Sequence, residues 1–238
     1  MSTLGELIAS HDVVDLSQTI EEGLPTFPMH SRFYHTLWES YWHGDVAVQY
    51  QLLINEHTGT HVDAPAHFVR DGHPAHLWID EMPLTSLFGR AATIDVTDTP
   101  AAGTYGVSSL ERFEAQHGMI EKGDIVLFWT GRARAWGLRP QDGDYLRDWP
   151  GPDSELARAL VERGASAVGC DAIVLDECGN LDYPCHMIFL SNKIMMLENL
   201  TNLDLLPPFC DFMAVPLKIR GGSGSPIRPL AFIPKKAD

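Results

Sequence analysis

The sequence is short of cations, of cysteine and of long apolar runs, and each shortage excludes something. Lys and Arg number 17 against 32 Asp and Glu, a formal charge of −15 over 238 residues. A nucleic-acid binder needs a basic face to displace counterions from phosphate, so nucleic acid is excluded as a partner. No apolar run approaches the ~20 residues that cross a bilayer, so no membrane role is expected. The four cysteines, Cys170, Cys178, Cys185 and Cys210, form no CxxC pair and no zinc-finger spacing. The opening stretch MSTLGELIASHDVVDL lacks the basic segment and apolar core of a signal peptide. Together these features lead us to expect a cytoplasmic protein with reduced thiols. Charged residues, at 21%, are too dilute for disorder. There is no repeat and no low-complexity linker, and residues 1–238 read as a single domain.

Strand patterns are frequent. They fall at 12–17, at 46–54, and at the apolar runs Ala91–Val96, Asp124–Trp129, Ala165–Cys170, Phe212–Leu217 and Leu230–Ile233. Helices interleave with them. Ser108 and Glu111 have capping-box spacing, Leu110 and Phe113 supply an apolar side, and Gly118 is a stop. A second helix follows Pro152, capped by Asp153 or Ser154, with Leu156, Leu160 and Val161 on its apolar face and Gly164 at its end. A short helix is expected over 201–206. The class is mixed α and β with a sheet-dominated core.

Histidine is what the chain has in excess, at 11 residues. His57, His61, Asp63 and His67 fall within eleven positions, around Gly59 and Pro65. Imidazole with carboxylate suits Zn, Mn or Fe. Gly59 and Pro65 disfavour a helix here. In a straight strand, residues four apart lie ~13 Å from one another, too far to share an ion. The segment must therefore curl, and Gly59 permits the backbone angles for that. His61 and Asp63, two apart, then face the same side. A set containing a carboxylate fits poorly with a closed structural zinc site. His30, His35 and His43 are not placed by the sequence, and Gly221–Ser225 reads as a tight turn near the site or an interface. The aromatic stretch from Phe33 to Trp42 suits either a pocket wall or the cover of a neighbouring subunit.

The string His57-Thr-Gly-Thr-His61-Val-Asp63-Ala-Pro-Ala-His67-Phe resembles the H-x-G-T-H-x-D-x-P-x-H-F signature of the metal-dependent cyclase-like hydrolases. That family includes bacterial kynurenine formamidases and isatin hydrolases. Further blocks resemble the family in the same order: Asp15-Leu16-Ser17 then Gly23-Leu24-Pro25, the run from His186 to Glu198, and Gly222 to Arg228. The resemblance implies a swivelling β/β/α-type fold. It implies His57, His61 and Asp63 as a first set of metal ligands, His186 and Glu198 as a second pair, and His67 as the proton-transfer group. It implies one or two divalent ions, Zn or Mn, with Glu198 favouring two that Asp63 and Glu198 bridge. Formamidases of this kind tend to carry Trp in the segment corresponding to Leu24–Pro28, and here the aromatic is Phe27, which is expected to bind substrate.

The activity implied is cleavage of the C–N bond of an aryl formamide or similar small amide by metal-activated water. Hydrolysis of a cyclic amide such as isatin or another lactam is the nearest alternative. An alternative of another class is a non-catalytic, metal-stabilised protein that binds a small molecule. A homo-oligomer, dimer or tetramer, is expected from the same resemblance.

Overall fold

Short strands joined by tight turns, expected from 20 Gly and 16 Pro, assemble into one dominant sheet. The computed structural model describes residues 3–139 and 143–235. In chain order the elements are α1 (Leu4–Ala9), β1 (His11–Asp15), β2 (Tyr34–Glu39), β3 (Gln49–Leu53), β4 (His61–Asp63), β5 (Phe88–Asp95), β6 (Thr104–Tyr105), α2 (Val107–His117), β7 (Ile125–Trp129), β8 (Gly151–Pro152), α3 (Ser154–Arg163), β9 (Ala167–Cys170), α4 (Pro184–Ser191), β10 (Met195–Glu198), β11 (Phe209–Met213), β12 (Gly224–Pro226) and β13 (Leu230–Pro234).

Nine strands form the main sheet in the order β1-β13-β11-β5-β7-β9-β10-β4-β12. Its centre, β5-β7-β9-β10, is parallel, and its flanks are antiparallel. Of these strands, β7, β9 and β10 are buried on both faces, and β7 reads as a continuous apolar run, Ile125–Trp129. One face packs Ala92, Ile94, Val126, Phe128, Val168 and Met196 against the apolar sides of α2, α3 and α4. The other face buries Val62, Leu127, Leu197 and Ala231 under the loops. The fold is thus mixed α and β with a sheet-dominated core, as the sequence led us to expect. No helix among the described residues is long and apolar enough to cross a membrane.

Several local expectations need correction. The strand expected at 46–54 is confined to Gln49–Leu53 and pairs only with β2, in an exposed two-stranded arm outside the main sheet. The strand expected over Phe212–Leu217 lies earlier: β11 runs Phe209–Met213, where its pairing with both β5 and β13 ends. Ser108 is not the cap of α2: the cap is Gly106, with no side-chain capping bond, and Ser108 lies inside the first turn. The short helix at 201–206 is a single 3-10 turn, Leu203–Leu205. By contrast, Asp153 caps α3 by accepting from the Leu156 amide at 2.7 Å, and Gly164 closes that helix in the left-handed region.

The cap of α3 gives a direct test. Replacing Asp153 by Ala removes an acceptor for a helix-end amide and is expected to cost about 1 kcal/mol. Equilibrium denaturation should show a lower midpoint with an unchanged slope.

Candidate metal centre

The site is built where β4 meets β10. Antiparallel register sets His61 opposite Glu198 and Asp63 opposite Met196. Directly opposed residues point to one face, so His61, Asp63 and Glu198 share the side that carries the helices, and Val62 and Leu197 point to the other. Helix α4 lies on that same side and lowers His186 onto the two carboxylates. The His186 Nε2 atom is 3.6 Å from Asp63 Oδ2 and 3.5 Å from Glu198 Oε1.

His57 arrives by a different route. The Asn55 side chain accepts from the His57 amide, and Gly59, at φ +61°, turns the chain into β4. This is the curl that the spacing demanded, and it brings His57 Nδ1 to 2.7 Å from Asp63 Oδ1. The turn at 221–225 closes the side: Ser223 Oγ is 3.0 Å from His57 Nε2 and donates to Glu56. Gly224 must lack a side chain, since a Cβ there would meet the His57 ring at 2.6 Å and the Val62 carbonyl at 2.8 Å.

Two overlapping ligand sets result, His57-His61-Asp63 and Asp63-His186-Glu198, with the potential ligand atoms of each set within 4.8 Å of one another. Asp63 belongs to both. Glu198 belongs to the second and also approaches the first, with Oε2 3.5 Å from His61 Nε2. Nitrogen and carboxylate oxygen donors of this kind fit a divalent first-row cation such as Zn or Mn. His67 is in neither set. It stacks on His57 with ring centroids 4.0 Å apart, on the 3-10 turn Pro65–His67.

Side chains behind the ligands fix their orientation. A carbonyl can only accept, so the 2.8 Å contact of His61 Nδ1 with the Gly59 carbonyl makes Nδ1 the protonated nitrogen and leaves Nε2 facing the carboxylates. Asp176 hydrogen-bonds His186 Nδ1 and also accepts from the amides of Cys185 and His186 at the start of α4. One carboxylate therefore caps the helix and aims its histidine. Asp176 carried no signal in the sequence, because its partner lies ten residues on, across an irregular loop. His30 was unplaced in the sequence, and in the structure it lines the cavity beside His57, with ring centroids 5.5 Å apart. His35 stacks on Tyr50 instead.

The electrostatics follow from burial. Asp63 and Glu198 are almost completely shielded from water. Burial alone would raise the Asp63 pKa, but His57, His67 and His186 hold it well below the usual carboxylate range. Burial opposes charge on His61 and His186, yet hydrogen bonds and charges from Asp63 and Glu198, and from Asp176 for His186, push both up to about 10. His67 moves the other way, to about 4, through burial and repulsion from the three neighbouring imidazoles against the pull of Asp63. The thiols of Cys170, Cys185 and Cys210 are all pushed up by burial, which makes them poor nucleophiles.

Above this floor is a cavity of about 360 Å³ with mainly apolar walls, including Phe27, Phe68, Ile173, Val174 and Tyr183. Phe27, expected to bind substrate, is among the residues that line this cavity. The aromatic residues from Phe33 to Trp42 do not line it.

A family model described as "Putative cyclase" matches residues 14–177. The chain belongs to the Cyclase family. Among curated relatives of this cyclase-family chain, the kynurenine formamidase of Salinibacter ruber is 33% identical over 182 residues, 74% of this chain and 76% of that protein. The isatin hydrolase of Roseibium aggregatum is 31% identical over 198 residues, 77% of this chain and 74% of that protein. Among solved structures, isatin hydrolase A from Labrenzia aggregata bound to benzyl benzoate aligns with TM-score 0.88 at 28% identity, covering 98% of this chain and all of that one.

Protons and a cation compete for the same atoms. In the metal-free chain His61 and His186 are protonated below about 10. Their raised pKa stabilises the metal-free fold fully below the ordinary value of 6.5, and this is lost as pH rises through 10. Metal binding must expel those protons, so its affinity should climb with pH, about tenfold or more per unit. Competition titration with a chromophoric chelator at pH 6 and pH 8 checks the sign. Asp176→Asn should weaken metal affinity by about 10–100-fold, read by the same titration, with the first set of ligands still intact.

Proposed function

We propose that this chain is a metal-dependent hydrolase that cleaves the C–N bond of an acylated aromatic amine, an aryl formamide or similar small amide. The observation that carries this reading is the pairing of two ligand sets around Asp63 with an apolar cavity directly above them. The amide hydrolase names of both curated relatives support it. In this reading His57, His61 and Asp63 hold one cation, and His186 and Glu198 complete a second position with Asp63. Zn or Mn suits the donors.

A cation bound there supplies Lewis-acid activation of water and of the amide carbonyl. The rest of the chemistry belongs to the chain. His67, uncharged at neutral pH, takes a proton from the attacking water at its unprotonated ring nitrogen and gives it to the departing amine nitrogen. The stacking on His57 and the edge contact with Phe68 hold its ring in place. Phe27, Phe68, Ile173 and Val174 exclude bulk water and offer flat apolar surface to an aryl group. The second reading, opening of a cyclic aryl amide, is favoured by the close overall match to a solved isatin hydrolase.

The same reading takes the protein to be a single-domain cytoplasmic enzyme, for which the four free cysteines are suited. It also takes it to be a homo-oligomer. The β2–β3 arm displays Leu37, Trp38, Tyr41, Trp42, Leu52 and Leu53 to solvent, with Trp38 70% and Trp42 66% exposed. A two-stranded ribbon with so little cover is marginal alone, and a second copy of the chain supplies apolar surface to bury it.

Two tests follow. Exhaustive chelation should abolish hydrolysis of a formanilide, and Zn or Mn should restore it, while His67→Ala should keep its metal and lose ~10²-fold or more in kcat. Full activity of metal-free protein, or loss of metal in His67→Ala, would reject these roles. Light scattering should give the mass of a dimer or tetramer, and the double variant W38E/W42E should shift it toward the monomer.

A further inference from the structure

The cavity offers a substrate very few polar contacts. Apart from the two ligand sets and His67, its polar side chains are His30 and Tyr183. Tyr183 is the more exacting of the two. It sits directly before Pro184 at the start of α4, and its backbone is left-handed, at φ 47°, ψ 52°. A bulky residue pays a steric cost in that conformation, and the following proline steers it toward extended angles instead. Gly or Asn would suit the position better. Such strain persists where surrounding structure holds it, and it collects at ligand clamps.

What the strain achieves here is placement of the ring. Tyr183 packs edge-on to Phe68 and to His186, with centroids 5.5 Å and 5.8 Å apart. Its hydroxyl has no hydrogen-bond partner among the described residues and is not sealed from solvent. The ring thus stands on the His186 side of the cavity with a free donor. His30 stands on the His57 side, and its Nδ1 is both unpartnered and sealed from solvent.

We infer that Tyr183 is a specificity-determining residue, whose hydroxyl donates a hydrogen bond to a second carbonyl on the substrate, placed ortho to the acylated nitrogen on the aromatic ring. This deepens the hydrolase reading and rests on it. Formylkynurenine and isatin are both acylated aromatic amines with a ketone at that ring position. The amide carbonyl is drawn to the cation floor, so the ortho ketone must find its partner among the walls. A site built to donate to that ketone discriminates against the analogue lacking it, since the donor is then left without its partner.

The test compares 2′-formamidoacetophenone with formanilide, which differ only in the ortho acetyl group. Wild-type protein loaded with Zn or Mn should favour the former in kcat/KM. In Tyr183→Phe the ratio of the two kcat/KM values should fall by about tenfold or more, with thermal midpoint and metal content unchanged. The matching product pair, 2-aminoacetophenone and aniline, gives a readout without turnover: calorimetry should show the same loss of preference. An unmoved ratio in Tyr183→Phe overturns the assignment, as does a collapse of the ratio in His30→Ala with Tyr183→Phe unaffected. If wild-type protein hydrolyses neither anilide, the linear aryl formamide reading fails, and the binding ratio still decides the role of Tyr183.

Discussion

Buried negative charge is the constraint to which the rest of this molecule answers. Asp63 and Glu198 lie on the helix-covered side of the sheet, shut away from water. A carboxylate cannot stay ionised there without compensation. The compensation is imidazole: His57, His61 and His186 converge on these two groups from a turn, a strand and a helix. In the metal-free chain two of these imidazoles carry the balancing protons. A cation held by His57, His61, Asp63, His186 and Glu198 would take the place of those protons, so the groups that balance the buried carboxylates would also serve as its ligands.

The surrounding fold divides labour along the same lines. Strands β4 and β10, paired in the sheet, carry His61, Asp63 and Glu198, and the turn before β4 and helix α4 add His57 and His186. Loops and helix ends carry the walls: Phe27 and His30 before β2, Phe68 after the 65–67 turn, Ile173 and Val174 after β9, and Tyr183 before α4. Behind the ligands, Asp176 and the Gly59 carbonyl fix which ring nitrogen faces the site. His67 sits between floor and walls and stays uncharged, because burial and three neighbouring imidazoles outweigh the attraction of Asp63.

The first half of the site was legible because it is local. Four groups within eleven residues, with Gly59 and Pro65 among them, required a curl, and the curl is there. The second half was legible only through resemblance: His186 and Glu198 are twelve residues apart, on a helix and a strand that meet through the sheet. Helix α4 was not anticipated, because Pro184–Ser191 is apolar nearly all round and has no polar stripe to mark its period. Central strands such as β7 and β9 were plain, since burial on both faces leaves continuous apolar runs. The arm misled for the opposite reason: residues 49–53 have strand-forming side chains but bury none of them within this chain. At α2, Ser108 and Glu111 had the right spacing and the wrong register: Ser108 lies two residues past the cap, Gly106.

The sequence by itself determined the chemistry available: its imidazoles and carboxylates, the turn that gathers the first three ligands, and the apolar runs that become the sheet. Tertiary structure alone decided that Glu198 faces His61, that Asp176 aims His186, and that Tyr183 and His30 join the apolar walls above the ligands. The reason is physical. Residues near in sequence are constrained by backbone angles that each residue type announces. Residues distant in sequence meet only through strand register and helix packing, which depend on the summed burial of the whole core.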